Sequence, residues 1–171
     1  PRAPEKSVST KSVPMVVGDI DWVSNGKVSA VKNQGSCGAG WAFATVAGIE
    51  SVYLMKGNAY SLSEQQLVDC SSSFGNMGCS QGYIYAAYNY VKSYNITTTA
   101  AYPYTGQTQS CATHNATVKI SQFNDLSGCD SLTNALNKQP IPVTVDANNW
   151  SLYKSGIFSN CNNTVMSHAA L

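Results

Sequence analysis

The sequence predicts an α+β protein of two lobes, with helices in the first half of the chain and β-strands in the second. Three segments in the first half carry helical periodicity, whereas the segments after Pro103 are mostly short runs of β-type residues. Only 11% of the 171 residues are charged and the net charge is +1, so neither nucleic acid nor a charged membrane surface is expected as a partner. No segment approaches the ~18 apolar residues of a membrane span, and none is predicted.

The first two helices follow from apolar periodicity and capping residues. Apolar residues fall almost all round a helix over residues 41–56, so we expect it to be buried, with Gly57 placed to end it. The capping-box pattern of Ser61 and Glu64 predicts a second helix over residues 63–68, give or take one residue at its start.

Residues 83–93 alternate aromatics and alanines at helical spacing and predict a third helix. Its tyrosines are interpreted as core or groove wall rather than as cofactor contacts. In the second half, a helix is expected over residues 131–137, ended by Pro140. The predicted strands are 118–123, 141–146 and 156–158.

The cysteines and glycosylation motifs indicate an oxidising compartment. The six cysteines are Cys37, Cys70, Cys79, Cys111, Cys129 and Cys161. None forms a Cys-x-x-Cys pair or a Cys/His cluster at zinc spacing, so disulfides are favoured over a metal site, and no metal or cofactor is predicted. The Asn-x-Ser/Thr motifs, candidate glycosylation sites, begin at Asn95, Asn115, Asn149 and Asn162. Together these features predict the secretory pathway, with a lysosomal, vacuolar or extracellular destination.

The motif that carries most information is Gln-Gly-Ser-Cys-Gly-Ala-Gly-Trp-Ala-Phe over residues 34–43. Papain-type peptidases carry Cys-Gly-Ser/Ala-Cys followed by Trp or Tyr, and the second cysteine is the nucleophile. Here Cys37 and Trp41 are in register, but Gly40 stands where that nucleophile belongs. His168 follows about 130 residues downstream, close to the spacing of the base in these enzymes.

Further blocks extend the match along most of the chain. They are residues 21–22, 31–35, 62–70, 78–82, 102–104 and 153–158. On these blocks, from about Val17 to Leu171, the sequence resembles the papain-like, cathepsin L-like cysteine peptidases. The resemblance implies their two-lobe fold, a helical lobe and an antiparallel β-barrel lobe, and the barrel lobe is expected to be incomplete in this chain. The implied division is a tail at 1–13 that resembles the end of a prosegment, a crossover strand and helical lobe at 14–112, and a partial barrel lobe at 113–171.

The resemblance also implies roles for individual residues. Gln34 would be the side-chain oxyanion donor, Gly40 the position of the lost nucleophile and His168 the base. The implied peptide-binding residues are Gly82, Tyr83, Ile84, Thr144, Met166 and Ala169, and their mostly apolar character predicts a hydrophobic side chain two residues before the cut. The implied disulfides are Cys37–Cys79 and Cys70–Cys111, with Cys129–Cys161 as a further pairing.

Departures from the family pattern lie at four places. Gly40 removes the nucleophile, Gln81 replaces the first glycine of a Gly-Gly pair at the cleft floor, and Ser167 precedes the base where an acidic or amide residue is common. The family's Asn-Ser-Trp segment, which orients the base, is expected beyond Leu171.

Three hypotheses about function follow. The first is a pseudoprotease, catalytically inactive, that keeps a cleft for a peptide or protein ligand. The second is an active cysteine endopeptidase disarmed by an engineered Cys-to-Gly substitution at position 40. The third is a subunit of a larger assembly, in which a second chain completes the barrel, because a partial barrel exposes strand edges and apolar surface.

Overall fold

Four α-helices and a two-stranded antiparallel sheet form the described regular structure in a computed structural model, which describes residues 19–112, 115–158 and 166–171. The helices are α1 (Gly40–Met55), α2 (Glu64–Cys70), α3 (Ile84–Tyr94) and α4 (Cys129–Leu136), and the strands are β1 (Val143–Val145) and β2 (His168–Ala170). Short 3₁₀ turns follow α2 at Ser72–Phe74 and β1 at Trp150–Leu152. None of the helices in these ranges is long and apolar enough to cross a membrane.

Helix α1 forms the centre of the core, as its all-round apolar pattern predicts. Ten of its 16 residues are buried, and it packs against α2, α3 and β2. It ends at Lys56, and Gly57 follows with a φ of +82°, which a glycine adopts without strain. Gly48 lets the second half of the chain approach closely, since a Cβ there would lie 2.4 Å from Cγ of Pro142.

Helix α2 confirms the predicted element and its predicted start at Ser63. The Ser63 hydroxyl accepts a hydrogen bond from the Gln66 backbone N–H at 3.0 Å, so Ser63 is the N-cap. The predicted pairing of Ser61 with Glu64 is wrong, because the Glu64 carboxylate binds Lys32 instead. The Gln66 side-chain amide binds the segment that follows α3, because its oxygen accepts a hydrogen bond from the Thr97 N–H at 2.7 Å.

Helix α3 bears out the interpretation of its tyrosines. Tyr90 is 4% exposed, and its hydroxyl accepts from the Gln66 amide at 3.0 Å. Tyr88 stacks on Phe123 with 5.2 Å between ring centroids, and burial raises its pKa well above the usual range. Tyr83 and Tyr85 instead stay exposed along a cleft. The tyrosines of this helix are therefore core residues and groove wall.

The second half forms less regular structure than predicted. Strand β1 lies within the predicted 141–146 segment and pairs with β2, placing Val145 opposite His168. The predicted strand 118–123 contributes a single bridge between Ile96 and Val118, and 156–158 forms no strand. Within the described residues no strand forms between 19 and 39 either, so the predicted crossover strand is absent there. These three differences have the same physical reason: an extended segment becomes a strand only when a neighbouring segment pairs with its backbone.

Two of the implied disulfides are present. Cys37–Cys79 and Cys70–Cys111 have Cα–Cα distances of 4.7 and 4.8 Å. Cys129 is instead an exposed free thiol, in contrast to the predicted bridge to Cys161, which lies outside the described residues. The two bridges tie the segment before α1 and the last residue of α2 to later loops of the helical half.

A buried ionic cluster joins the segment before α1 to α1 and α2. The Lys32 Nζ lies 2.7 Å from the Glu50 carboxylate and 2.6 Å from that of Glu64, whose side chains are 0% and 3% exposed. The Glu50 carboxylate also accepts from the Leu62 N–H at 2.8 Å and from the Ser29 hydroxyl. Burial acts to lower the pKa of Lys32, but attraction to Glu64 and the hydrogen bonds outweigh it and raise that pKa. Burial also raises the pKa of Glu64, which the lysine only partly offsets.

Replacing this lysine is expected to destabilise the fold in a pH-dependent way. Lys32→Ala should lower the free energy of unfolding by about 2–4 kcal/mol at pH 7, somewhat less than for a fully buried pair because the lysine side chain is 29% exposed. In the variant the pKa of Glu64 rises further above its ordinary value of 4.5, which costs stability above that pH. The deficit should therefore shrink towards pH 4–5 in urea unfolding curves.

The matched control is Lys92→Ala, on the exposed face of α3, which should unfold like the parent at both pH values. A Lys32→Ala deficit that is equal at pH 7 and pH 4.5 would show that lost packing, not unpaired charge, is the cause.

Candidate active site

All the residues that the resemblance assigns to catalysis and peptide binding line one cleft. The cleft measures about 1600 Å³ and is lined by residues of α1, α3, α4 and the two strands. The predicted residues along it are Gln34, Gly40, Gly82, Tyr83, Ile84, Thr144, Met166, His168 and Ala169. Their roles remain predictions, but their convergence is a feature of the structure.

Gly40, His168 and Gln34 meet at one point. Gly40 is the buried first residue of α1. A Cβ built on it would lie 2.6 Å from Cε1 and 2.8 Å from Nδ1 of His168, and 3.3 Å from Oε1 of Gln34. Carbon atoms in contact are about 3.5–4.0 Å apart, so the imidazole occupies part of the volume that a side chain at position 40 would take.

The backbone around Gln34 is held by a turn and by a tyrosine. The Asn33 side chain accepts from the Gly35 N–H at 2.8 Å, with Gly35 at a φ of +63°. The Tyr104 hydroxyl donates to the Gln34 carbonyl at 2.8 Å, and its ring meets Phe43 edge to face at 5.0 Å. Burial and the nearby Glu64 charge raise the pKa of Tyr104, so the hydroxyl keeps its proton. The sequence marks Tyr104 only as part of a Tyr-Pro-Tyr block, without this role.

His168 is oriented by β2 and by an indole ring. It is paired with Val145, and the preceding Ser167 donates its N–H to the Val145 carbonyl at 3.0 Å. The Ser167 hydroxyl accepts from the Ala147 N–H at 3.0 Å, which ties the loop after β1 to β2. Trp150 in that loop meets the imidazole edge to face at 5.8 Å. Sequence reasoning missed Trp150, since its only local signal is its place inside the Asn149 glycosylation motif.

The floor of the cleft depends on close backbone approach. A Cβ on Gly82 would lie 2.3 Å from the Trp41 indole, so only glycine fits. The Gly38 N–H donates to the Cys79 carbonyl at 2.9 Å beside the Cys37–Cys79 bridge. Within the described part of the chain the Gly82 N–H and C=O make no hydrogen bond, which leaves them available to an extended peptide.

The remaining predicted contacts differ in exposure. Ala169 is buried and Ile84 half-buried, whereas Thr144 is exposed and Met166 is 60% exposed. Asn115 is exposed, while Asn95 and Asn149 are half-buried. Asn162 lies outside the described residues, so all four glycosylation sites stay predictions.

The chemistry of the site is limited to what an imidazole and an amide can do. The imidazole can hold or accept a proton, and the Gln34 amide can stabilise an oxyanion, but glycine supplies no nucleophile. Across the described ranges no group of three His, Cys, Asp or Glu side chains could hold a metal ion.

Comparison with known proteins identifies the family to which the chain belongs. The sequence model of the papain family of cysteine proteases matches residues 16–171, and the chain belongs to that family. It is similar to cathepsin L 2 of Paramecium tetraurelia, with 37% identity over 166 residues that cover 94% of this chain and 53% of that protein. It is also similar to zingipain-2 of Zingiber officinale, with 42% identity over 158 residues that cover 88% of this chain and 71% of that protein.

Solved structures show the same fold. A recombinant stem bromelain precursor superposes with a TM-score of 0.80 at 38% identity, covering 88% of this chain and 51% of the other. The bromelain protease of Ananas comosus in complex with the E64 inhibitor gives 0.79 at 39% identity, covering 88% and 72%. The papain-like fold class is confirmed. The chain spans about half the length of several of the curated relatives it matches.

Adding one methyl group at Gly40 tests the contact with His168. In Gly40→Ala the new Cβ would lie 2.6 Å from Cε1, so the imidazole must move. We expect a changed His168 ring signal in the NMR spectrum, with the free energy of unfolding altered by less than about 1 kcal/mol because alanine favours the helix and the clash is with a movable side chain.

The chain has two histidines, so His114→Gln assigns the two signals. The control is Ser36→Ala, an exposed change before α1 that should leave the ring signal in place. An unshifted His168 signal in folded Gly40→Ala would contradict the observed packing.

Proposed function

We propose that this protein is a papain-family pseudoprotease that binds peptides in its cleft and does not cleave them through a thiol. The observation that carries the proposal is Gly40, which lies within contact distance of His168 and Gln34 but brings no nucleophile. In this reading the family's binding surface is retained and one reacting atom is missing.

No neighbouring side chain replaces the thiol. Cys37 is bonded to Cys79, and Ser36 is exposed in the turn before α1. In serine peptidases, loss of the nucleophile costs about 10⁶ in kcat, with a residual ~10³–10⁴ over water from the oxyanion site and binding. The same scale makes any cleavage here negligible.

Peptide binding is supported by what lines the cleft. The unpaired backbone of Gly82 can form strand-like hydrogen bonds with an extended ligand. Ile84, Met166 and Ala169 offer apolar surface beside it, which favours a hydrophobic ligand side chain. The two disulfides and the exposed glycosylation motif at Asn115 support a lysosomal, vacuolar or extracellular location.

Two other readings have an observation in their favour. Retention of His168 and Gln34 beside position 40 favours an active cysteine endopeptidase that carries cysteine there naturally. Peptide mass spectrometry of residues 33–56 from the natural source distinguishes this active enzyme from the pseudoprotease, since cysteine at position 40 would overturn the pseudoprotease proposal.

The exposure of Leu152 (80%) and Ile157 (96%) favours a further polypeptide that covers this surface, as in an assembly with a second chain completing the barrel.

Restoring the nucleophile tests the proposal directly. Gly40→Cys in the full-length protein should gain covalent labelling by an epoxide that reacts with active-site thiols, because the start of α1 and His168 favour a thiolate. The parent should show no labelled residue in the cleft other than the exposed thiol of Cys129. The labelled residue is identified by peptide mass mapping, since the free Cys129 also lines the cleft.

The matched control is Gly40→Ser, which has similar bulk but no thiol and should stay unlabelled. Labelling of the parent at a cleft residue other than Cys129, or cleavage of a peptide by the parent at a rate near that of Gly40→Cys, would overturn the proposal. A folded Gly40→Cys protein that binds peptide yet resists the epoxide would show that the His168 position is incompatible with catalysis.

A further inference from the structure

We propose that Asn95 carries an N-linked glycan that is attached before the chain folds, and that the first sugar of this glycan packs on the exposed ring of Tyr94. Asn95 begins an Asn-Ile-Thr motif at the end of α3, and none of the three motif residues lines the cleft. The proposed secretory location supplies the transferase that such a motif needs.

The backbone of Asn95 has a conformation that favours glycine. As the C-cap of α3 it has a φ of +63° and a ψ of −178°, and it is the one non-glycine residue with a positive φ in the described part of the chain. Glycine adopts this region without strain, whereas a Cβ makes it unfavourable. Stability alone would therefore select glycine here, which indicates that the asparagine side chain has another use.

The side-chain amide of Asn95 is open to modification. The backbone N–H donates to the Val91 carbonyl at 2.8 Å and the backbone carbonyl accepts from the Gln66 amide at 3.1 Å, but the side chain makes no hydrogen bond to a described residue. Of the described side chains only the Ser51 hydroxyl is both buried and unpaired, so the Asn95 amide reaches solvent. A glycan on Nδ2 therefore breaks no hydrogen bond of the fold.

The threonine hydroxyl of the motif is closed off in the folded protein. Thr97 is 1% exposed, and its hydroxyl donates to the Asn115 carbonyl at 2.8 Å. Its N–H donates to the Gln66 side chain at 2.7 Å. A transferase recognises the Ser or Thr hydroxyl together with the asparagine. Asn95 therefore accepts a glycan only before these contacts form.

The motif that begins at Asn115 provides a contrast in the same structure. Both Asn115 and Thr117 are exposed, and this motif lies next to the first one because the Thr117 N–H donates to the Ile96 carbonyl at 3.2 Å. Its asparagine and hydroxyl stay accessible after folding. The two motifs therefore differ in when they can be modified, although they are neighbours.

The attachment is a group transfer from a lipid-linked oligosaccharide diphosphate. Nδ2 of Asn95 forms a bond to C1 of the first sugar, while the bond between C1 and a phosphate oxygen breaks. The lipid diphosphate leaves with that electron pair, and one amide proton passes to a base of the transferase. The product is still a neutral amide, so no charge is added at the C-terminal end of α3.

Tyr94 presents an open aromatic surface beside this site. It is 61% exposed, but its ring is restrained by aromatic neighbours, with centroid distances of 5.4 Å to Tyr90 and 6.0 Å to Phe74. The C–H groups on one face of a sugar ring carry partial positive charge, and the face of an aromatic ring is negative. Because Tyr94 directly precedes Asn95, the first sugar reaches the ring without a second molecule.

The first experiment measures when each site is modified. The full-length protein is prepared without glycans, and a folded sample and a reduced, unfolded sample are given to a purified oligosaccharyltransferase with its lipid-linked substrate. Glycopeptide mass spectrometry should find both Asn95 and Asn115 modified in the unfolded chain. In the folded chain Asn115 should be modified and Asn95 about 10-fold less or lower, because local opening must come first.

The second experiment measures the contact with Tyr94 in full-length protein secreted from a eukaryotic host. Three substitutions leave Asn95 as the only motif: Asn115→Gln, Ser151→Ala and Thr164→Ala. With the glycan trimmed to its first sugar, hydrogen exchange of the Asn95 N–H should be about 2- to 10-fold slower than in the unglycosylated protein. Tyr94→Ala should remove this difference. Tyr60→Ala is the control and should keep it, because that exposed ring packs on Tyr53 instead.

A glycine substitution separates the glycan from the backbone. Made without glycans, Asn95→Gly should unfold at the same or a higher urea concentration than the parent, because glycine relieves the strain at this φ. Lower stability of Asn95→Gly would show that the asparagine serves the fold itself and would contradict the proposal.

The other failures are distinguishable. An unmodified Asn95 in the secreted protein would overturn the proposal, and equal modification of Asn95 in the folded and unfolded samples would overturn its timing. A glycan that slows exchange equally in the parent and in Tyr94→Ala would overturn the packing contact. Peptide binding enters none of these measurements, so the proposed function is tested separately.

Discussion

The packing of Trp41 on Gly82 is the constraint on which the site depends. The indole leaves no room for a Cβ at residue 82, and its Nε1 donates to the Gly78 carbonyl at 3.3 Å. This contact fixes the first turn of α1 against the loop that forms the cleft floor, and the Cys37–Cys79 bridge fixes the same two segments covalently. The position of residue 40 relative to the Gly82 backbone follows from these two restraints, whatever side chain stands there.

The parts of the fold that the sequence predicts well are those decided by local pattern. Helix α1 can be predicted because its residues are apolar all round the helix. Helix α3 can be predicted because its aromatic residues recur at helical spacing. Helix α2 starts at Ser63 as the sequence predicts, but the capping-box pairing of Ser61 with Glu64 does not form, because the Glu64 carboxylate binds Lys32. The strands were overestimated for a related reason, since 118–123 has β-type residues but pairs at one residue alone.

The candidate site was predicted as a set of residues but not as a geometry. Motif spacing identifies Gln34, Gly40 and His168, because the family keeps those positions in sequence. It cannot place the imidazole in the space beside Gly40, nor Trp150 against that imidazole, because both depend on how β2 and the loop after β1 pack on α1. The stacking of Tyr83 on Tyr85 is not predictable from the sequence for a similar reason. Stacking between residues two apart requires the backbone to change conformation between them.

The proposed function separates binding from catalysis, because the two would use different atoms of the cleft. The proposed binding surface consists of the Gly82 backbone groups and apolar side chains, and neither depends on the side chain at residue 40. Catalysis needs a thiolate between His168 and Gln34, and its absence leaves a space that the imidazole partly takes. A nucleophile carries the desolvation cost of its charge, so its loss does not threaten the fold. On this proposal a papain-like cleft loses its chemistry through one residue, whereas the loss of its peptide affinity would require several changes.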